Sequence, residues 1–247
     1  MSERLRLFWP HPHTEFPGGR GISEALAGEV EHFGFDITQD YQDAEISCCV
    51  SDSMLDNRVI GKKPCVALLW GWHYNRMFEP SVLPDYRNKL QMLSQCDLVL
   101  SPSWITYYQL CDLGIQSIYC PAGVDTRTLD RYASIPRAPA PYRFAFLSRL
   151  APHKGLDMLI QALSVLRQQA AQVWPQVELV VMGPGDRSGY QKYAEELGVS
   201  DHVRWLVPSD EEKVRVLKES VALVSASDYE GFGLNGLESL YLGVPVI

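Results

Sequence analysis

Residues 227–238 read Ser-Asp-Tyr-Glu-Gly-Phe-Gly-Leu-Asn-Gly-Leu-Glu, and this stretch is the most informative part of the chain. An apolar run at 221–225, typical of a buried strand, precedes it, and a helical pattern follows it as far as Gly243. A strand, a glycine-bearing loop and a helix in this order present backbone N–H groups and the positive end of a helix dipole. The glycines allow a ligand to approach the backbone closely. The pattern therefore predicts a site for an anion or a polyhydroxyl compound.

Two carboxylates of this stretch, Glu230 and Glu238, have seven residues between them. They would lie roughly 12 Å apart if the whole span were helical, and closer if the loop folds back. The catalytic carboxylates of a glycosidase lie about 5–9 Å apart. The spacing therefore favours contacts with two ends of a long ligand over the cleavage of one bond by a carboxylate pair.

A second informative loop carries two cations, Arg149 and Lys154, after an apolar run at 143–148. The residues that follow have apolar positions at helical spacing, which predicts an amphipathic helix. The guanidinium is a planar fork and the ammonium is a movable point charge, and together they suit a diphosphate. Taken alone, two such cations are also typical of a solvated surface turn.

These segments resemble the signature of retaining glycosyltransferases of family 4, which have the GT-B fold. The resemblance implies that Glu230 contacts the hydroxyls of a donor sugar and that Glu238 contacts the ribose of its nucleotide. It also implies that Arg149 and Lys154 hold the donor diphosphate. The loop residues that it places against the donor are Gly231, Phe232, Gly233, Leu234 and Asn235.

The first half of the chain contributes a glycine pair and a histidine to the same expectation. Gly18 and Gly19 follow a short strand, and the resemblance implies that this loop approaches the donor phosphates; a plain β-to-α turn is the alternative. His73 follows an apolar run, where the family often carries a histidine that contacts the donor sugar and helps to stabilise the transition state. A structural or exposed histidine is the alternative there.

Alternating strand and helix patterns on both sides of a proline-rich segment predict an α/β protein with parallel sheets. We expect an N-terminal Rossmann-like domain at 1–130, a linker at 131–141 and a C-terminal donor-binding domain at 142–247. In the resembling family, two such domains face each other across a cleft. Strands are predicted near 4–9, 45–51, 64–70, 97–101 and 116–120, and then near 143–148, 177–182, 203–207, 221–225 and 244–247.

The composition is that of an ordinary soluble globular protein of 247 residues with a net charge of −8. Because neither half is basic, a nucleic-acid partner and strong electrostatic docking to a membrane are disfavoured. The sequence shows no transmembrane run and no signal-peptide pattern, so a cytoplasmic location is expected. The six cysteines include no C-x-x-C pair, which disfavours a zinc site or a disulfide framework. The resemblance also implies a reaction that needs no metal or other cofactor.

The chain is short for the resembling family, whose members normally continue well beyond the equivalent of residues 244–247. We therefore expect an incomplete second domain. An open sheet edge at that point would favour association, including a homo-oligomer.

The leading hypothesis is a retaining glycosyltransferase that passes a sugar from a nucleotide-diphosphate sugar to a glycan, lipid or small-molecule acceptor. In this reading Arg149 and Lys154 neutralise charge on the leaving diphosphate, Glu230 orients the sugar, and His73 stabilises positive character at the sugar carbon. Two alternatives stay open at this point: a non-catalytic module that binds nucleotide sugars or assembles with other proteins, and a GT-B sugar-nucleotide epimerase.

Overall fold

A computed structural model describes residues 4–9, 28–49, 55, 60–69, 81 and 83–247. The chain divides into two compact units, Met1–Ala122 and Gly123–Ile247. Each unit contains a parallel β-sheet with helices in the connections between its strands, which confirms the α/β class.

The first unit contains a six-stranded sheet in the order β2-β1-β3-β4-β5-β6, and every neighbouring pair is parallel. Helix α1 follows β4, and α2 follows β5. The strand order reverses at β1, the position at which open α/β sheets place their ligand crevices. The elements are β1 (Arg6–Phe8), β2 (Asp36–Thr38), β3 (Ile46–Cys49), β4 (Cys65–Leu68), α1 (Leu83–Leu93), β5 (Leu98–Ser101), α2 (Trp104–Asp112) and β6 (Ile118–Tyr119).

The second unit contains a four-stranded parallel sheet in the order β10-β7-β8-β9. Leu223 in β10 also forms a parallel bridge with Val246, so residues 245–247 lie beside β10 on the side away from β7. The elements are α3 (Thr126–Asp130), β7 (Arg143–Leu147), α4 (Leu156–Gln169), β8 (Glu178–Met182), α5 (Ser188–Glu196), β9 (Val203–Leu206), α6 (Asp210–Glu219), β10 (Ala222–Leu223) and α7 (Leu234–Tyr241).

Both faces of this second sheet are covered, as its nearly continuous apolar strands require. Ala145 and Val180 point into one buried cluster, which also contains apolar residues of α6. Phe146 and Val181, the next residues along the same strands, point into a second cluster with residues of α4. Successive side chains of a strand alternate between faces, so the two apolar clusters fix the register of the sheet.

The proline-rich segment at 131–141 packs on the second unit, and the boundary between the units lies before it, after Ala122. The guanidinium of Arg137 donates hydrogen bonds to the carbonyls of Lys218 and Ser220, at the C-terminal end of α6. These carbonyls have no acceptor role within the helix, so the arginine satisfies them. The predicted linker is therefore a docked strap of the second unit rather than a free spacer.

Lys218, on α6, also holds the segment at 131–141 in place. Its side chain is buried, and its ammonium donates to the carbonyl oxygens of Tyr132, Ala133 and Ile135 at 3.5, 3.0 and 2.6 Å. A buried ammonium needs such acceptors, because burial without hydrogen bonds would be costly.

No helix in the described part of the chain is long and apolar enough to cross a membrane. All six cysteines fall within the described ranges, and none of them forms a disulfide. Burial, with a smaller contribution from the neighbouring Cys65, raises the pKa of the Cys48 thiol to about 12.

We predict that Lys218→Met destabilises the second unit, because it leaves backbone carbonyls without their charged donor. The expected loss is about 1.5–3 kcal/mol in the free energy of unfolding, the range for hydrogen bonds to charged groups. Thermal and urea unfolding of the full chain measure it, with Lys192→Met on the exposed face of α5 as the matched control. Equal effects of the two substitutions would contradict the clamping role.

Candidate functional site

The candidate site forms where the strand order of the second sheet reverses. β7 pairs with β8 on one side and with β10 on the other, and all three strands are parallel. Two loops, residues 148–155 after β7 and residues 224–233 after β10, therefore start side by side at the carboxyl ends of the strands. Open α/β sheets bind their ligands at this kind of switch point.

The two loops bring together Lys154 and Glu230, which the sequence places 76 residues apart. The Lys154 ammonium donates to Glu230 Oε1 at 2.7 Å, and the Ser227 hydroxyl donates to the same oxygen at 2.8 Å. The side chain of Lys154 is 13 % exposed and that of Glu230 is 40 % exposed. The carboxylate thus reaches the surface while it holds a largely shielded cation.

A glycine allows the loops to approach this closely. Gly155 has a φ of +67°, and a Cβ atom at this position would lie 1.9 Å from the carbonyl oxygen of Ala226. The backbone N–H of Asp228 also donates to the carbonyl of His153 at 3.0 Å. Any side chain at position 155 would separate the loops and pull Lys154 away from Glu230.

Arg149 lies in the same loop as Lys154, two residues after the end of β7, and it is exposed. The loop runs against the end of β8, where Ser148 N–H donates to the carbonyl of Met182 at 3.0 Å. A Cβ atom on Gly183 would lie 1.9 Å from the carbonyl oxygen of Ser148, so this glycine also permits a close backbone approach. Both predicted cations therefore lie on a loop that is fixed at its base by backbone contacts.

The glycine loop of residues 231–235 leads into α7. Gly233 has a φ of +84° and supplies no side-chain cap to the helix. Within the first turn, the N–H of Gly236 donates to the carbonyl of Gly233 at 3.0 Å. The Asn235 amide donates to the carbonyl of Leu147, the last residue of β7, at 2.6 Å. This contact ties the start of α7 to the end of β7. Of the residues predicted to meet the donor, Gly231, Phe232, Gly233 and Leu234 are all partly exposed, as is Asn235.

Glu238 lies on α7 and contacts a different lysine from the one that holds Glu230. The ammonium of Lys213, on α6, lies 3.1 Å from Glu238 Oε2 and 3.7 Å from Asp210 Oδ1. Each glutamate of the motif therefore has its own cation, one on a loop and one on a helix. Sequence analysis did not find Lys213, because no spacing rule connects it with Glu238 across two different βα units.

Three predicted site residues, Gly18, Gly19 and His73, lie outside the described residues. Across the described ranges, no group of three or more His, Cys, Asp or Glu side chains is arranged to hold a metal ion. The absence of a metal requirement stays a prediction.

The family comparison agrees with this geometry. Residues 133–247 match the family model of the glycosyl transferases group 1. These residues, which make up most of the second unit, are similar to that family. All four charged side chains described above, Arg149, Lys154, Glu230 and Glu238, lie within the matched residues. The resemblance of the motif to GT-B glycosyltransferases is confirmed at this level.

Curated relatives share about half of the chain. The D-inositol 3-phosphate glycosyltransferase of Salinispora tropica is 33% identical over 139 residues, which are 52% of this chain and 29% of that protein. The GDP-mannose-dependent alpha-(1-6)-phosphatidylinositol monomannoside mannosyltransferase of Mycolicibacterium smegmatis is 34% identical over 148 residues, 52% of this chain and 37% of that protein. The matches thus span well under half of the length of these relatives.

Solved glycosyltransferase structures share the fold. Anabaena HepE in complex with UDP-glucose superposes with a TM-score of 0.69 at 17% identity, over 98% of this chain and 79% of that one. The S. aureus TarM mutant crystallised with UDP gives a TM-score of 0.63 at 16% identity, over 81% of this chain and 40% of that one. The α/β architecture seen here is therefore that of the GT-B glycosyltransferases.

We predict that Glu230→Gln raises the affinity of the unliganded site for inorganic pyrophosphate about two- to tenfold. The substitution removes the negative charge beside Lys154 while it keeps a hydrogen-bond acceptor, and a partly exposed pair of this kind contributes roughly 1 kcal/mol. Isothermal titration calorimetry measures the change.

The matched control is Glu196→Gln, which removes the charge beside Lys192 on the exposed face of α5. An unchanged or lower pyrophosphate affinity in Glu230→Gln would show that Glu230 does not compete with an anion for Lys154.

Proposed function

We propose that this protein is a retaining glycosyltransferase that transfers a sugar from a nucleotide-diphosphate sugar to an acceptor hydroxyl without a metal ion. The observation that carries the proposal is the meeting of the Arg149/Lys154 loop with the Glu230 loop at the switch point of the second sheet. The residues that match the group 1 glycosyltransferase family include both loops. The relatives named above are glycosyltransferases, one of them dependent on GDP-mannose.

The donor diphosphate is proposed to lie against Arg149, Lys154 and the N-terminus of α7. As the bond between the sugar and the diphosphate breaks, negative charge grows on the leaving group. Fixed cations and backbone N–H groups stabilise that charge more in the transition state than in the ground state. Gly18 and Gly19 are proposed as further donor-binding residues, as the sequence predicts.

The sugar and the ribose are proposed to contact the two glutamates. Glu230 accepts hydrogen bonds from the sugar hydroxyls, and Glu238 accepts them from the ribose. His73 stabilises the positive character that develops at the reacting carbon. The acceptor oxygen then bonds to that carbon on the face that the diphosphate leaves, which keeps the configuration, and the hydroxyl proton passes to the departing phosphate oxygen.

We predict that Arg149→Ala and Lys154→Ala each weaken donor or transition-state binding by about 1.5–3 kcal/mol, the range for charge-assisted hydrogen bonds. Calorimetry with nucleoside diphosphates measures the loss of binding to the nucleotide part of the donor, and turnover assays measure the loss of transition-state stabilisation. Arg215→Ala on the exposed face of α6 is the control, since its partner there is Glu211. Wild-type affinity and turnover in both site variants would rule out the proposed diphosphate contacts.

The function itself is tested by a thermal-shift screen of UDP-, GDP-, ADP- and dTDP-sugars, followed by product analysis on each sugar that binds. Transfer with an unchanged anomeric configuration, in the presence of a chelator, is the expected result. Binding without transfer to a panel of glycan, lipid and small-molecule acceptors would favour the binding-module alternative. Epimerisation of the donor would favour the epimerase, and inversion at the transferred sugar would contradict the retaining mechanism.

A further inference from the structure

We propose that Lys213 is a positioning residue, which holds the Glu238 carboxylate in the orientation that receives the ribose of the donor nucleotide. The inference rests on the proposed function and adds to it a residue from a different βα unit. Lys213 Nζ lies 3.1 Å from Glu238 Oε2, so one carboxylate oxygen is engaged by the lysine. The other oxygen, Oε1, takes no part in this contact and is left to accept from a ligand hydroxyl.

The Lys213–Glu238 pair is less exposed to solvent than the Lys192–Glu196 pair on the surface of the same unit. The side chains of Lys213 and Glu238 are 18 % and 24 % exposed, whereas those of Lys192 and Glu196, 3.8 Å apart on α5, are 77 % and 59 % exposed. Lower exposure reduces the effective dielectric constant, which strengthens the attraction and narrows the orientations available to the carboxylate.

Lys213 stands on a helix whose apolar side chains, Val214 among them, are buried in the core of the second unit. The helix of Glu238 is held on both sides: the Asn235 amide donates to the last carbonyl of β7 at 2.6 Å, and Val244, which follows α7, is buried in the same cluster as Val214. Both partners of the contact therefore stand on helices that are anchored to that core.

The start of α6 adds a second constraint on Lys213. Ser209 and Glu212 form a capping box, in which the Ser209 hydroxyl accepts from Glu212 N–H and the Glu212 carboxylate accepts from Ser209 N–H. Lys213 follows directly, and its own N–H donates to the carbonyl of Ser209 at 2.9 Å. The capped turn fixes the backbone from which the Lys213 side chain extends.

The energetic consequence is preorganisation. A glutamate side chain loses rotamer entropy when a ligand fixes it. Lys213 imposes much of that order before the ligand arrives, so a ribose contact is gained at a smaller entropic cost. Because its ammonium is already opposite Glu238 and Asp210, Lys213 acts through the carboxylate and not as a third cation for the diphosphate.

The test compares Lys213→Met and Lys213→Arg with the wild type, using UDP and GDP and the 2′,3′-dideoxy form of each. Calorimetry on the full chain gives the ratio of affinities for the ribo and dideoxy ligands. We expect Lys213→Met to weaken the ribo ligand about fivefold or more, to leave the dideoxy ligand within about twofold, and so to reduce the ribose preference. Lys213→Arg should restore most of that preference, because it keeps a cation at the same place.

A double-mutant cycle tests whether Lys213 acts through Glu238 or contacts the ligand directly. In a Glu238→Gln background, Lys213→Met should have no further effect on the ribo ligand, whereas an independent contact would give additive losses. Equal weakening of ribo and dideoxy ligands by Lys213→Met, or no weakening of either, would overturn the proposal. The thermal midpoint of each variant, with Lys192→Met as the control, shows whether a loss reflects unfolding.

The outcome for the wild type distinguishes failure of this inference from failure of the proposed function. Absence of binding to any nucleoside diphosphate would overturn the proposed function and the inference together. Binding without any preference for the ribo ligand would overturn only the role of Glu238 and Lys213, and the diphosphate contacts of Arg149 and Lys154 would stand.

Discussion

The parallel pairing of β7 with β10 is the constraint on which the candidate site depends. It pairs Phe144 with Ala222 and Ala145 with Leu223. As a result, two loops that are distant in sequence leave the sheet side by side. Gly155 then allows those loops to touch, because no Cβ atom lies between them. Without this pairing the motif glutamate would meet no cation, and its carboxylate would be an ordinary surface charge.

The contact between Lys154 and Glu230 also bears on selectivity. A ligand that carries only a diphosphate must bind Lys154 in place of Glu230. The Glu230 carboxylate then loses one of its hydrogen-bond donors. A nucleotide sugar offers an anion for the lysine and hydroxyl groups for the glutamate, so both groups stay satisfied. A net charge of −8 adds a general repulsion of anions, which makes this local exchange of partners more important. Under the proposed function, an internal ion pair of this kind favours a complete nucleotide sugar over a free diphosphate.

Prediction from the sequence succeeded where a local pattern determines the structure. The mainly apolar stretches at 143–148 and 177–182 are long enough to identify buried strands, and the structure has strands at Arg143–Leu147 and Glu178–Met182. It failed where the determinant is tertiary. β2 is three residues with two polar positions at a sheet edge, and it carries no periodic signal. The segment at 131–141 has the composition of a linker, yet Arg137 and Lys218 dock it through backbone carbonyls that no sequence pattern reveals.

Three lysines of the second unit show how the partner, and not the residue type, sets the role. Lys218 is surrounded by backbone carbonyls, which cannot move without unfolding the segment, so its contribution is to stability. Lys213 faces a carboxylate on a packed helix, so it can orient that group but has little freedom to leave it. Lys154 faces a carboxylate on a glycine loop, at the edge of the sheet, where a ligand can replace its partner at small cost. Ligand exchange is therefore expected at the one of these three ammonium groups whose acceptor is a side chain on a loop.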